Sequence, residues 1–234
     1  MLLFSRGSFS QILIGLAVRL FIIFAILPVH EFAHAFAAYK LGDPTAKNRG
    51  RMTLNPMAHL DVMGALCLII VGFGWAKPVP VNTYNFDNQR QRQRGMAITA
   101  AAGPLSNLIV AIVSLIILRI IACFAIGPVA SDNIETVFMF IMTINVALAI
   151  FNLVPIPPLD GSNILNWLLP DKWVYWLDQN SRILSMLLIA VVFMGALDIP
   201  ISFMSNLIYR GVWGGADWLF NLAGLPEQWS AIAM

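Results

Sequence analysis

The sequence predicts an all-α polytopic membrane protein, a bundle of about four to six membrane helices with one re-entrant segment and a short extended edge strand near a metal site. Composition is the first reason: 59% of residues are hydrophobic and 11% charged, with a mean hydropathy of +0.78, far more apolar than a soluble domain. Run length is the second. Several apolar runs reach the ~17 to 25 residues that cross a ~30 Å hydrocarbon core. The run VMGALCLIIVGFGW, residues 62–75, has only 14. Charge placement is the third. Eight of the 14 Lys and Arg flank that short run: Lys40, Lys47, Arg49 and Arg51 before it, and Lys77, Arg90, Arg92 and Arg94 after it. A full crossing would divide them between two faces, whereas a re-entrant path keeps them on one, which the positive-inside rule makes cytoplasmic.

The whole chain, 1–234, reads as one integral-membrane domain with a core over about residues 20–200. Residues 1–19 lack a small-residue cleavage site and are not read as a cleaved signal peptide. The first span, counted back from Lys40, ends at Leu20 beside Arg19. Inside it lies LPVHEFAHAFAAYK, residues 27–40. His30 and His34 stand four residues apart, so a helix projects both from one face, where they can share one tetrahedral metal. With Glu31 the order is HExxH: two imidazoles for zinc and a carboxylate as general base on its water. The flanks LFIIFAIL and AFAAY offer nothing to solvate an unpaired carboxylate, so a compensating partner is expected. Pro28 removes one backbone bond just before the motif, which is read either as a kink or as an ordinary membrane-helix proline.

From Leu41 to Asp61 the chain is a polar surface loop, opened by the stop signals Gly42, Asp43 and Pro44. Its NPMAHLD stretch supplies His59 and Asp61, open to three readings: a second metal site, support for the first, or a turn and helix cap. After the short apolar run comes AKPVPVN. Pro78 and Pro80 forbid a helix and lose donors on one edge, leaving Val79 and Val81 to bond on the other, so it reads as an edge strand or a plain loop. The basic NTYNFDNQRQRQRG that follows meets anionic headgroups. A second span covers 95–124, with Ala100, Ala101, Ala102, Gly103 and Ser106 as a small-residue packing face and Asn107 bonding between helices.

The third span runs from about Val137 to Val154 and ends in FNLVPIPPLDGSNIL, where Pro155, Pro157 and Pro158 break the helix. Irregular backbone at membrane depth is tolerated only where protein buries it or water lines it. Asp160 is delivered at that break, either as an interfacial turn residue or as a third ligand, completing a His2Asp set with one open position. Residues 182–199 make a further span, and 201–234 make interfacial or additional membrane helices, with Trp167, Trp173 and Trp176 suited to an interface. Cys67 and Cys123, with no CxxC spacing, read as packing residues. A net charge of +2 is too small to imply nucleic acid.

HEFAH at 30–34, NPMAH at 55–59, AGPLSN at 102–107 and NLVPIPPLDG at 152–161 together resemble, in order, the site-2 protease family of intramembrane zinc metalloproteases, in its compact form without a PDZ or CBS domain. The resemblance implies zinc on His30, His34 and Asp160, with Glu31 as base and Asn152 touching substrate or its oxyanion. It implies a protease acting on a membrane-spanning protein or peptide, multi-pass in a prokaryotic cell membrane. The competing class is a catalytically idle membrane metal-binding or transport protein. Glu31 argues against it, because storage needs no base beside the ligands, and no repeated half with matching broken helices is visible.

Overall fold

A computed structural model describes residues 9–71, 74–86, 89–123 and 128–195, with isolated positions between 199 and 218. It forms two compact units, Met1–Ser106 with Leu153–Arg182, and Asn107–Asn152 with Ile183–Met234. Helices dominate, and no strand occurs among the described residues. The first unit holds α1 (Phe9–Phe21), a π-helical turn (Ile22–Ile26), α2 (Leu27–Lys40), α3 (Thr45–Asn48), α4 (Pro56–His59) and α5 (Val62–Val71). It also takes the first half of α6 (Gln89–Cys123), all of α8 (Asp160–Leu168) and the start of α9 (Asp171–Phe193). α7 (Pro128–Asn152) lies in the second unit.

Three stretches are long and apolar enough to cross a membrane: Gly15–Lys40, Gln91–Leu118 and Ile134–Asn152. They fall where the sequence places its first three spans. The further span expected over 182–199 is not among them. α9 starts earlier and carries Asp171, Lys172, Asp178 and Arg182 in its first half, and its described apolar part is Ile183–Phe193; residues 196–198 of the predicted span lie outside the described residues. The expectation for 201–234 lies mostly outside the described residues.

At Pro28 the irregularity takes the form of a wider turn. Pro28 has no N–H for the carbonyl four residues back, and just before it the Leu27 N–H reaches five residues back to Ile22 O. α6 is inverted relative to a helix of a soluble protein. Most of its buried positions are small or polar, including Thr99, Ala100, Asn107 and Ser114, with Leu115 and Leu118 as the large apolar exceptions, while Leu105 and Ile109 are 55% and 61% exposed. That distribution suits lipid outside and close helix packing inside. Within the second unit, Ala111 and Leu115 of α6 pack with Met142 and Val146 of α7.

α5 has 10 residues, too few to cross. The chain beyond it returns to where the helix began: a Cβ on Gly64 would stand 2.0 Å from Trp75 O, and the Lys77 N–H donates to His59 O at 2.8 Å. Residues 77–82 then form neither helix nor strand, with Asn82 extended, so where the sequence reads an edge strand the structure has an irregular segment without a ladder. Alternating prolines set the backbone conformation but cannot supply the neighbour a sheet needs. Both ends of the segment are tied to the 41–61 loop instead. Buried Arg51 donates through Nη2 to Lys77 O and to Pro78 O. Fully buried Asp43 accepts at Oδ2 from the Asn82 N–H at 2.7 Å and at Oδ1 from Thr45 and Asn85. Burial pushes the Asp43 carboxyl up, but these donors together outweigh it and hold the group below the usual carboxylate range.

Candidate metal centre

The site lies within the first unit, built by one turn of α2, one turn of α6 and the start of α8. The α2 turn supplies His30 and His34, buried at 6% and 8% exposure, with ring centroids 4.6 Å apart and planes at 88°. Asp160 arrives from the other side of the sequence because Pro155, Pro157 and Pro158 end one helix and let another begin at Asp160. The break is compact. The Leu159 N–H donates to Ile156 O at 3.0 Å, and a Cβ on Gly161 would stand 2.2 Å from Leu153 O, so only glycine lets α8 start this close to the broken end.

His30 Nε2 and His34 Nε2 are 3.1 Å apart, and Asp160 Oδ2 is 3.3 Å from the first and 3.4 Å from the second. Ligands about 2.0 to 2.1 Å from a tetrahedral ion stand about 3.3 to 3.4 Å from one another, so the three atoms trace one face of such a site. Asp160 Oδ2 is buried and receives no hydrogen bond, a cost that a cation at the centre of the triangle would remove. This is the one group of three or more metal-ligating side chains among the described residues.

His34 Nδ1 lies 2.7 Å from Thr99 O. A carbonyl can only accept, so Nδ1 carries the proton and Nε2 presents its lone pair to the triangle. Sequence reasoning missed this contact, since a backbone carbonyl leaves no mark on residue type. Glu31, buried at 9% exposure, makes no hydrogen bond or ion pair among the described residues, which leaves its carboxylate available to a proton.

None of the other predicted residues belongs to the three-ligand group. His59 is buried and donates from Nε2 to Thr53 O at 2.7 Å, while Asp61 accepts from the Gly64 N–H at 2.8 Å as the cap of α5. Asn55 caps α4 through the Met57 N–H. The NPMAHLD stretch therefore acts as local capping and pinning, and neither His59 nor Asp61 joins the three-ligand cluster. Asn152 ends α7, its amide donating to Leu148 O at 2.9 Å. Val79 and Val81 are half-buried and make no backbone hydrogen bond within the described chain.

Residues 117–195, which include Asp160 but not the α2 histidines, match the model of peptidase family M50. The chain is 42% identical over 144 residues to the Bacillus subtilis protein named "Putative zinc metalloprotease YwhC", covering 61% of this chain and 64% of that one. It is 32% identical over 141 residues to "Putative zinc metalloprotease Rip2" of Mycolicibacterium smegmatis, covering 59% of this chain and 52% of that relative. To the protein of the same name from Mycobacterium tuberculosis it is 27% identical over 235 residues, covering 96% and 78%. The chain thus spans less than two thirds of the first two relatives. No solved structure matches it.

Proposed function

We propose that this chain is an intramembrane zinc endopeptidase of the site-2 protease type, cleaving a peptide bond in or near a membrane-spanning segment of a protein substrate; the match of residues 117–195 to the peptidase family M50 model and the similarity to relatives named as zinc metalloproteases support this reading. The observation that carries this reading is the His30, His34 and Asp160 triangle with Glu31 unpaired on the same helix. Zinc held there would supply a Lewis acid that polarises the scissile carbonyl and lowers the pKa of water to about 7. The protein's own part is proton handling and positioning. Glu31 accepts a proton from the attacking water and returns it to the leaving nitrogen. The Thr99 carbonyl keeps the His34 ring in one tautomer. Asn152, by the resemblance, contacts substrate or its oxyanion.

The membrane is the cell membrane of a prokaryote, with the basic loops cytoplasmic, and the short α5 with its returning chain forms the re-entrant element. Charge placement around residues 40–94 and the bacterial sources of the relatives support this. A transmembrane helix hides its carbonyls in internal bonds, so it must unwind before one can be polarised, and unwinding in lipid leaves donors and acceptors unsatisfied. The 79–81 backbone is held open between the Arg51 and Asp43 ties, and it supplies the pairing edge.

Cleavage of a single-span substrate in nanodiscs should stop on treatment with a zinc chelator and return on adding zinc; chelator-insensitive cleavage would refute the zinc reading. In zinc-loaded Val79→Pro/Val81→Pro protein, both donors of the open edge are gone. It should lose cleavage of helical substrates while keeping that of pre-extended ones. Unchanged cleavage of a helical substrate would sink the pairing model.

A further inference from the structure

Gly103 sits in α6 where the chain has no room for any side chain. A Cβ placed on it would stand 2.5 Å from both Cε1 and Nε2 of His34 and 2.6 Å from Cε1 of His30. Carbon atoms normally approach to about 3.5 Å, so the two imidazoles rest directly on the α6 backbone. The same turn provides the Thr99 carbonyl for His34 Nδ1, four residues earlier and hence on the same face of α6. One turn of α6 is thus laid against one turn of α2, with nothing between them but two rings.

We propose that Gly103 is a positioning residue for the metal: its missing side chain sets how close α6 comes to the imidazoles, and so fixes the ligand triangle. This rests on reading the triangle as a metal centre. Alanine would force the rings to move by about 1 Å to regain ordinary contact, several times the ~0.2 Å tolerance of a metal–ligand bond. Moving α6 back instead would stretch the 2.7 Å contact between Thr99 O and His34 Nδ1, releasing the ring that this contact orients. Either adjustment harms the same triangle. A glycine serving only general helix packing would not act on the ligands, and Gly95 provides that comparison. It lies two turns earlier in α6, where a Cβ would meet the Phe86 ring at 2.8 Å, and no metal-ligating atom is among its near neighbours.

The test measures zinc affinity of the full chain in detergent by competition with a chromophoric chelator, together with the visible spectrum of the cobalt-substituted protein. Gly103→Ala should bind zinc ~10- to 100-fold more weakly than wild type, as expected when support behind a ligand is lost, and its cobalt bands should shift. Gly95→Ala should change neither. Affinity within twofold of wild type and an unshifted cobalt spectrum for Gly103→Ala would overturn the proposal, as would an equal loss in Gly95→Ala. Absence of zinc binding by the wild type would overturn the metal centre itself, and this proposal with it. Should Gly103→Ala fail to fold, the same substitution is made in a His30→Ala/His34→Ala background, where the clashing rings are gone. Folding restored to the level of that background supports the proposal, and failure to restore it overturns the proposal.

Discussion

Glu31→Gln is expected to keep its zinc and lose peptide cleavage. The amide has nearly the shape of the carboxylate, so the α2 turn and its two imidazoles should stay in place, but it cannot accept a proton from water. Loss of a general base typically costs 10²- to 10⁴-fold in rate. The absence of any structural partner for Glu31 among the described residues sharpens this expectation, because no ion pair or hydrogen bond is broken by the change. Single-turnover cleavage of a single-span substrate, with zinc measured on the same preparation, checks it. Full turnover by a zinc-loaded Glu31→Gln protein would remove Glu31 from the mechanism and revive the idle metal-binding reading.

Asp160→Ala is expected to purify with little or no zinc. Two imidazoles alone leave the ion two protein ligands, below the three usual for a catalytic zinc site. The carboxylate also supplies the site's negative charge. Asp160 stands at the first position of α8, where an anion also favours the helix dipole, a local effect of about 0.3 to 1 kcal/mol. Asp160→Asn, which loses the charge but keeps the size, separates poor metal binding from a poorly formed broken end. Elemental analysis of both variants reads the outcome. Undiminished zinc in Asp160→Ala would take Asp160 out of the ligand set and return His59 and Asp61 to consideration.

The histidine pair was legible because four-residue spacing on a helix is a geometric statement in itself. Asp160 was legible for a different reason: three prolines in four residues mark a break, and a break at membrane depth has to be lined or buried. What stayed hidden depends on distances between segments far apart in the chain. Gly103 could be placed on a small-residue face, but the sequence does not say what rests on that face. Thr99 acts through its carbonyl, which every residue has. Conversely, the AKPVPVN pattern promised more than the fold delivers, since proline alternation specifies an extended backbone and leaves its neighbour to the rest of the molecule. For 182–199 the described helix begins earlier, at Asp171 with its charges, and the end of the predicted span lies outside the described residues.

The π-turn at Ile22–Ile26 has a bearing on angular register. Closing a backbone ring over five residues rather than four inserts one extra position into the helical count. With 3.6 residues per turn, one position corresponds to roughly 100° of rotation. The faces of α1 are therefore out of phase with those of α2 by about that angle relative to an unbroken helix through Gly15–Lys40. The direction in which α1 turns its side chains does not dictate the direction in which α2 aims His30 and His34. The two halves of one long apolar helical rod are keyed independently, one to its surroundings and the other to the His30, His34 and Asp160 triangle.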